Sequence, residues 1–280
     1  MKKGAINSVQ LQELAKRAEL YSVTFAFCRA PSKPEDNVQA SGVLFKLKGH
    51  YFILTAGHVA KHVEFHGDPY ISVANVFHSF RPKVAQHQSK FSDVDDRGFI
   101  ELASTDANLI ESRNKVFASP ERILSTSAKT LKQEGSTLFL FGFPYYYAKE
   151  LNRPVFLISK TLGNRRPPEL PQADDDNYID IRVDRSKMIL FDGTKVSHTP
   201  PGKLGGASGA GLWKVTSADF PPEDIRLVGI ATFHSQEYWT KSASDIGFIR
   251  AIRIGKVLAL IGDTYLELKT DIKKISSNKP

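Results

Sequence analysis

The stretch GVLFKLKGHYFILTAGHV, residues 42–59, carries the reading of the fold. Val43, Leu44, Phe45 and Leu47 make positions 41–48 strand-like, Tyr51 to Thr55 are aromatic, aliphatic or β-branched, and the turn Lys48-Gly49-His50 lies between. That pattern predicts two strands joined as a hairpin. The second strand runs into Ala56 and Gly57, then into His58 and a helical turn. An imidazole at a strand end, with little bulk around it, is open to chemistry. Most histidines are instead solvated or simply packed, so the context singles out His58.

Outward from this hairpin the chain keeps a short rhythm. Ser8 can cap a helix over residues 8–20, with Leu11, Leu14, Ala15 and Ala18 on one face. Strand-like segments follow at 21–28, 70–77 and 98–102. Residues 104–134 are mixed and polar and read as a connector with a helical turn. A second set of strands is expected at 137–143, 154–160, 178–183, 188–191, 211–215, 227–233 and 247–252. A closing helix over 254–261 and a loose polar tail from 269 complete the chain. Many short strands with turn residues between them predict an all-β, mainly antiparallel architecture of barrels or sandwiches.

A second stretch raises the chemical question. GGASGAGLW, residues 205–213, sets four glycines and two alanines around Ser208. Small neighbours leave a hydroxyl open and let backbone N–H groups approach a reacting oxygen, although such a cluster is also a plain turn. A serine at its ordinary pKa needs a base, and the base needs a carboxylate to fix its tautomer.

The hairpin segment resembles the histidine segment of chymotrypsin-like (trypsin-fold) serine proteases, where two paired strands lead to T-A-x-H. GGASGAGLW resembles their G-x-S-G-x-x-L segment. LFGFP at 140–144, LVGIATFHS at 227–235 and IGFIRAI at 246–252 resemble strands of their second barrel, the first as in bacterial members. The resemblance covers most of residues 21–262. It implies two six-stranded β-barrels with short N- and C-terminal helices: a helix at 1–20, a first barrel at 21–115, a connector at 116–134, a second barrel at 135–252, and a helix and tail at 253–280.

The resemblance also implies roles. His58 is the general base, Ser208 the nucleophile, and the N–H groups of Gly206 and Ser208 the oxyanion hole. The acid falls in DRGFIEL, residues 96–102, and is assigned to Asp96, with Asp93 and Asp95 as neighbours that compete. Arg97 and Gly98 depart from the family's apolar residue and alanine. The order His58, Asp96, Ser208 is that of chymotrypsin-like enzymes, not of α/β-hydrolases. The set Ser208, Asp224, His234 has hydrolase order but too short a span, and Ala210 breaks G-x-S-x-G. Ala207 stands where secreted digestive members carry an aspartate that receives a newly cut N-terminus, so that mode of activation is not expected. The substrate pocket would be based at Gly202 and Lys203 and walled by Thr232, Phe233, His234 and Gly247. No acid at its base supports a preference for Lys or Arg.

Bulk properties set the frame. The 280 residues are 41% hydrophobic and 24% charged, ordinary for a globular protein. Cys28 is the single cysteine, so no intrachain disulfide forms. Polar residues interrupt the N-terminal segment after Lys2 and Lys3, and no apolar run of membrane length occurs. A cytoplasmic protein is expected. The net charge of +8 comes from lysines and arginines spread along the chain. A solvated basic surface is therefore expected rather than a nucleic-acid module. His58, His62 and His66 are four apart, but H-E-x-x-H is absent and Gly67 and Pro69 end any helix, so no metal is expected. The acidic run Asp174 to Asp176 reads as a solvated turn. No cofactor is expected. The resulting expectation is a serine endopeptidase acting on a protein or peptide, restricted in specificity or held by a regulatory protein partner. The alternative is an inactive protease fold serving as a protein-binding module.

Overall fold

The computed structural model describes residues 8–27, 38–66, 70–73, 76–79, 95–134, 137–143, 155–161, 177–184, 188–190, 206–215, 225–234 and 246–277. Helix α1 (Ser8–Leu20) buries the face carrying Leu14, Ala15 and Ala18. The hydroxyl of Ser22 donates to the Ala18 carbonyl at 2.8 Å and closes the helix end.

The first sheet contains β1 (Ser22–Phe27), β2 (Val38–Leu47), β3 (His50–Ala56), β4 (Tyr70–Val73), β5 (Val76–Ser79) and β6 (Arg97–Leu102). Its order is β5-β4-β1-β2-β3-β6, antiparallel throughout. The β2–β3 hairpin forms where the sequence places it. Leu47 pairs with His50, and Lys48 and Gly49 both take left-handed φ, +48° and +83°. Two left-handed residues twist the turn to match the strands, which is why the tip carries a glycine. The expected single strand at 70–77 is two strands, paired from Tyr70 with Ser79 to Val73 with Val76.

The second sheet holds seven strands: β7 (Leu138–Gly142), β8 (Val155–Thr161), β9 (Tyr178–Asp184), β10 (Met188–Leu190), β11 (Gly211–Val215), β12 (Ile225–His234) and β13 (Ile246–Arg253). Their order is β10-β8-β7-β11-β12-β13-β9. A further pairing of Lys160 with Arg182 and Thr161 with Ile181 joins β8 to β9. Six strands thereby close a circuit, with β10 attached outside it. In the first sheet no pairing joins β5 to β6 among the described residues, so closure there is not part of the described structure.

Strand alternation sorts the interior into three cores. Leu44 and Ile53 point into the first sheet's own core with Val23, Val59 and Ile100. Leu138, Leu140, Leu212, Val228 and Ile249 fill the second sheet. The opposite strand faces meet between the sheets: Val43, Phe45, Phe52 and Leu54 pack with Phe139, Phe141, Trp213, Leu227 and Ile252. This third core also receives α1 and helix α5 (Ile254–Thr264).

The connector is more ordered than its polarity predicts. It contains α3 (Ser104–Glu111), a 3₁₀ turn at Pro120–Arg122 and α4 (Ala128–Gln133). Ala107, Ile110 and Leu131 anchor these helices. The Ser127 hydroxyl caps α4 by accepting the Thr130 N–H at 3.0 Å. The loose tail is likewise overturned: Lys269–Ser277 is helix α6. Ile272 and Ile275, three apart, bury against the core formed by α5, and Lys48 pairs with Asp271 at 2.6 Å. No helix among the described residues is long and apolar enough to cross a membrane. Cys28, the Arg165–Pro168 and Asp174–Asp176 runs, Asp93, Gly202 and Lys203 lie outside the described residues.

Candidate active site

His58 opens helix α2 (Gly57–His66), directly after β3. Its side chain is 53% exposed. Asp96 sits in the turn before β6, which pairs with β3, so the sheet itself brings acid and base together. The Asp96 carboxylate faces the ring: Nδ1 lies 3.0 Å from Oδ1 and 2.9 Å from Oδ2. Oδ1 also accepts the backbone N–H of His58 at 2.8 Å. The carboxylate therefore holds the histidine by backbone and ring at once. Asp95, the competing acid, stands 3.7 Å from the Arg97 guanidinium.

The Asp96 backbone is left-handed, with φ of +45°. Aspartate tolerates this region better than most residues. Its carbonyl accepts the Gly57 N–H at 2.9 Å. A Cβ on Gly57 would come within 2.9 Å of Arg97 N and Asp96 C, so glycine here lets the turn close on the helix. The two residues that follow Asp96 have packing reasons. A Cβ on Gly98 would stand 2.7 Å from the Ala60 Cβ, so glycine admits α2 against β6. Arg97 turns away from the ring and donates from Nη1 to the Lys256 carbonyl in α5 at 3.0 Å.

Ser208 lies in a turn docked onto the first sheet. Its carbonyl accepts the Ser41 N–H at 2.8 Å. The Ser41 hydroxyl donates to the Gly206 carbonyl at 2.8 Å and accepts the Phe143 N–H at 2.9 Å. Thr55, three residues before His58, donates its hydroxyl to the Ser41 carbonyl at 2.9 Å. On the other side, Gly209 N–H donates to the Ala231 carbonyl at 2.7 Å, and Ala231 N–H donates to the Ala210 carbonyl at 2.8 Å. Gly206 and Gly209 have left-handed φ, +89° and +86°. A Cβ on Gly209 would overlap the Ser41 carbonyl oxygen and the Thr55 hydroxyl. Glycine is thus required for conformation and for space. Among the described residues no hydrogen bond joins Ser208 to the His58 ring, and the N–H groups of Gly206 and Ser208 donate to no backbone carbonyl. Nucleophile–base contacts often tighten only when substrate binds.

Thr232 is buried at a β-bulge in β12: Ala231 pairs with Ala251 and Phe233 with Arg250, leaving Thr232 as the extra residue. A bulge re-aims a side chain locally, and this one adjoins the Ser208 turn through Ala231. Phe233 and His234 continue β12, and Gly247 pairs with Val183 on β9. The first sheet's contribution to the Ser208 turn, Ser41 and Thr55, is absent from the sequence reading. The small residues around Ser41 in QASG offered a faint signal, but nothing in them names a partner 165 residues away.

No protein-family profile matches the sequence, and no curated protein matches it. Similar solved structures exist at low identity. A human pathogenic astrovirus serine protease is 10% identical, with a TM-score of 0.41 over 84% of this chain and 90% of that one. A structure concerned with the coupled folding and binding of the intrinsically disordered Sesbania mosaic virus VPg protein is 12% identical, with a TM-score of 0.44 over 88% and 90%.

Proposed function

We propose that this chain is a serine endopeptidase of the chymotrypsin type. The observation that carries the reading is the Asp96 carboxylate, which holds His58 through both its backbone N–H and its ring Nδ1. An imidazole whose Nδ1 proton is held by a carboxylate presents Nε2 as a base. The Ser208 turn is hydrogen-bonded to Ser41 on β2, the partner of the strand that leads to His58, and the proposal takes the nucleophile from it.

In this mechanism His58 takes the Ser208 hydroxyl proton as Oγ attacks the peptide carbonyl. The Oγ–C bond forms, and the oxyanion is held by the N–H groups of Gly206 and Ser208. Each such donor stabilises the transition state by about 3 kcal/mol. His58 then gives its proton to the leaving amine as the C–N bond breaks, and water releases the acyl group by the reverse proton path. No step calls for a cofactor. The substrate is a protein or peptide, and the bulge at Thr232 would line the cleft. Restricted specificity or a regulatory protein partner belongs to the same proposal.

The test is covalent labelling of the purified chain with a fluorophosphonate, beside S208A and H58A. Labelling of the wild type that vanishes in both variants is expected. An unlabelled wild type would overturn the reading in favour of a protein-binding module on a protease scaffold.

A further inference from the structure

The Ser208 turn contains two glycines, and glycine does not hold a peptide plane by itself. Something else must fix where the turn's N–H groups point. Two of its carbonyls, those of Gly206 and Ser208, face one residue, Ser41 of β2. Ser41 is fully buried. Its hydroxyl cannot turn freely, because the Phe143 N–H occupies its oxygen at 2.9 Å and directs the proton to the Gly206 carbonyl at 2.8 Å. This is a chain of three groups, Phe143 N–H to Ser41 O–H to Gly206 C=O, each polarising the next. The intervening carbonyl, of Ala207, accepts the Ala210 N–H at 2.9 Å inside the turn. That bond orients the Ala207–Ser208 peptide, which carries the Ser208 N–H, and the planes on either side of it are tied to Ser41.

We infer that the Ser41 hydroxyl is a positioning residue for the nucleophile turn: by tying the Gly206 carbonyl it fixes the Gly206–Ala207 peptide plane, and through it the adjoining plane that presents the Ser208 N–H to substrate. The inference rests on the serine-hydrolase reading above. It assigns Ser41 no contact with the reacting atoms. Thr55 supports it from behind, since its hydroxyl holds the Ser41 carbonyl at 2.9 Å. One serine on the first sheet thereby sets the geometry of a turn that belongs to the second.

The experiment measures the second-order rate of fluorophosphonate labelling against pH for the wild type, S41A, T55V and S208A, with a thermal melt of each. S41A should remain folded at assay temperature and label about 10- to 100-fold more slowly than wild type, the scale expected when reacting groups are slightly misplaced. Its pH profile should keep the wild-type midpoint, because the His58–Asp96 pair is untouched. T55V should fall between the two. A merely structural serine would lower the melt and leave the labelling rate of the folded protein unchanged, and labelling of S41A within twofold of wild type overturns the inference. A shifted midpoint in S41A also overturns it, because the effect would then act through His58. If S41A does not fold, T55V decides: a wild-type rate in T55V refutes the inference. A wild type that labels no faster than S208A removes the hydrolase reading itself and this inference with it, a result distinct from all the others.

Discussion

The sharpest consequence of the site geometry concerns Asp96→Asn. The two carboxylate oxygens are not equivalent: Oδ1 accepts the His58 backbone N–H at 2.8 Å and lies 3.0 Å from Nδ1, while Oδ2, without the backbone bond, faces Nδ1 at 2.9 Å. A backbone N–H demands an acceptor, so asparagine must leave its oxygen there and place its NH₂ against Nδ1. That group can only donate. Against that nearer donor the favoured ring tautomer has Nδ1 accepting and the proton on Nε2, and in that tautomer Nε2 cannot take a proton from Ser208. Both hydrogen bonds survive, so stability should change by less than about 1 kcal/mol. The labelling or hydrolysis rate should fall by about 10⁴, equivalent to roughly 5.5 kcal/mol of transition-state stabilisation. Stopped-assay labelling of D96N and D95N, with urea melts of both, reads the two quantities separately. Asp95 touches the Arg97 side chain at 3.7 Å, and its substitution should leave the rate within a few-fold of wild type. A D96N enzyme within tenfold of wild type, or a D95N enzyme as impaired as D96N, would refute the reasoning.

Three further outcomes follow from packing and charge. Gly209→Ala should lower the unfolding free energy by more than about 3 kcal/mol, because the new Cβ combines a left-handed φ with overlap of the Ser41 carbonyl; an unchanged urea midpoint would show that the turn does not dock as described. Asp180 is buried and bound by Arg250 Nε at 2.9 Å and Nη2 at 3.2 Å, so Asp180→Asn should cost about 3–5 kcal/mol in denaturant melts, and a loss below 1 would contradict the pair's role. Burial, then the hydrogen bond from its hydroxyl to Glu101 at 2.8 Å, hold the Tyr265 phenol above its ordinary range. The unfolded chain releases that proton from about pH 10 while the folded chain keeps it. This contribution is therefore whole below pH 10 and is lost as pH rises beyond it. The stability advantage of wild type over Y265F should shrink with pH above 10, and a constant gap would disprove it.

How legible the molecule was depends on the range of the forces involved. The β2–β3 hairpin, β6 and β11 follow from residues that neighbour one another in the chain, and the sequence places them closely. The His58–Asp96 contact was legible only through the resemblance to a known family. Its backbone half, the His58 N–H on Oδ1, needs the left-handed turn at Asp96 that no local pattern announces. The tail misled because its composition is polar. Two isoleucines three apart suffice once α5 offers a surface, and that surface is tertiary. The hairpin at 70–79 was missed for the same reason as most short strands, since its turn has no strong signal between two apolar runs. Ser41 and Thr55 were invisible because hydroxyls in strands are common and their partners lie on distant segments.

The two residues after Asp96 each have a packing role. Gly98 makes the room that Ala60 of the histidine helix occupies, and Arg97 reaches across to the Lys256 carbonyl in α5. The Asp96 turn is therefore tied to α5 on one side and, through the Gly57 N–H on its carbonyl, to the start of α2 on the other. Aspartate takes a left-handed φ more readily than most residues, and here that turn sets its carboxylate against both the His58 N–H and the ring. The placement of the carboxylate against His58 stands on bonds to α2 and α5 that are independent of Ser208.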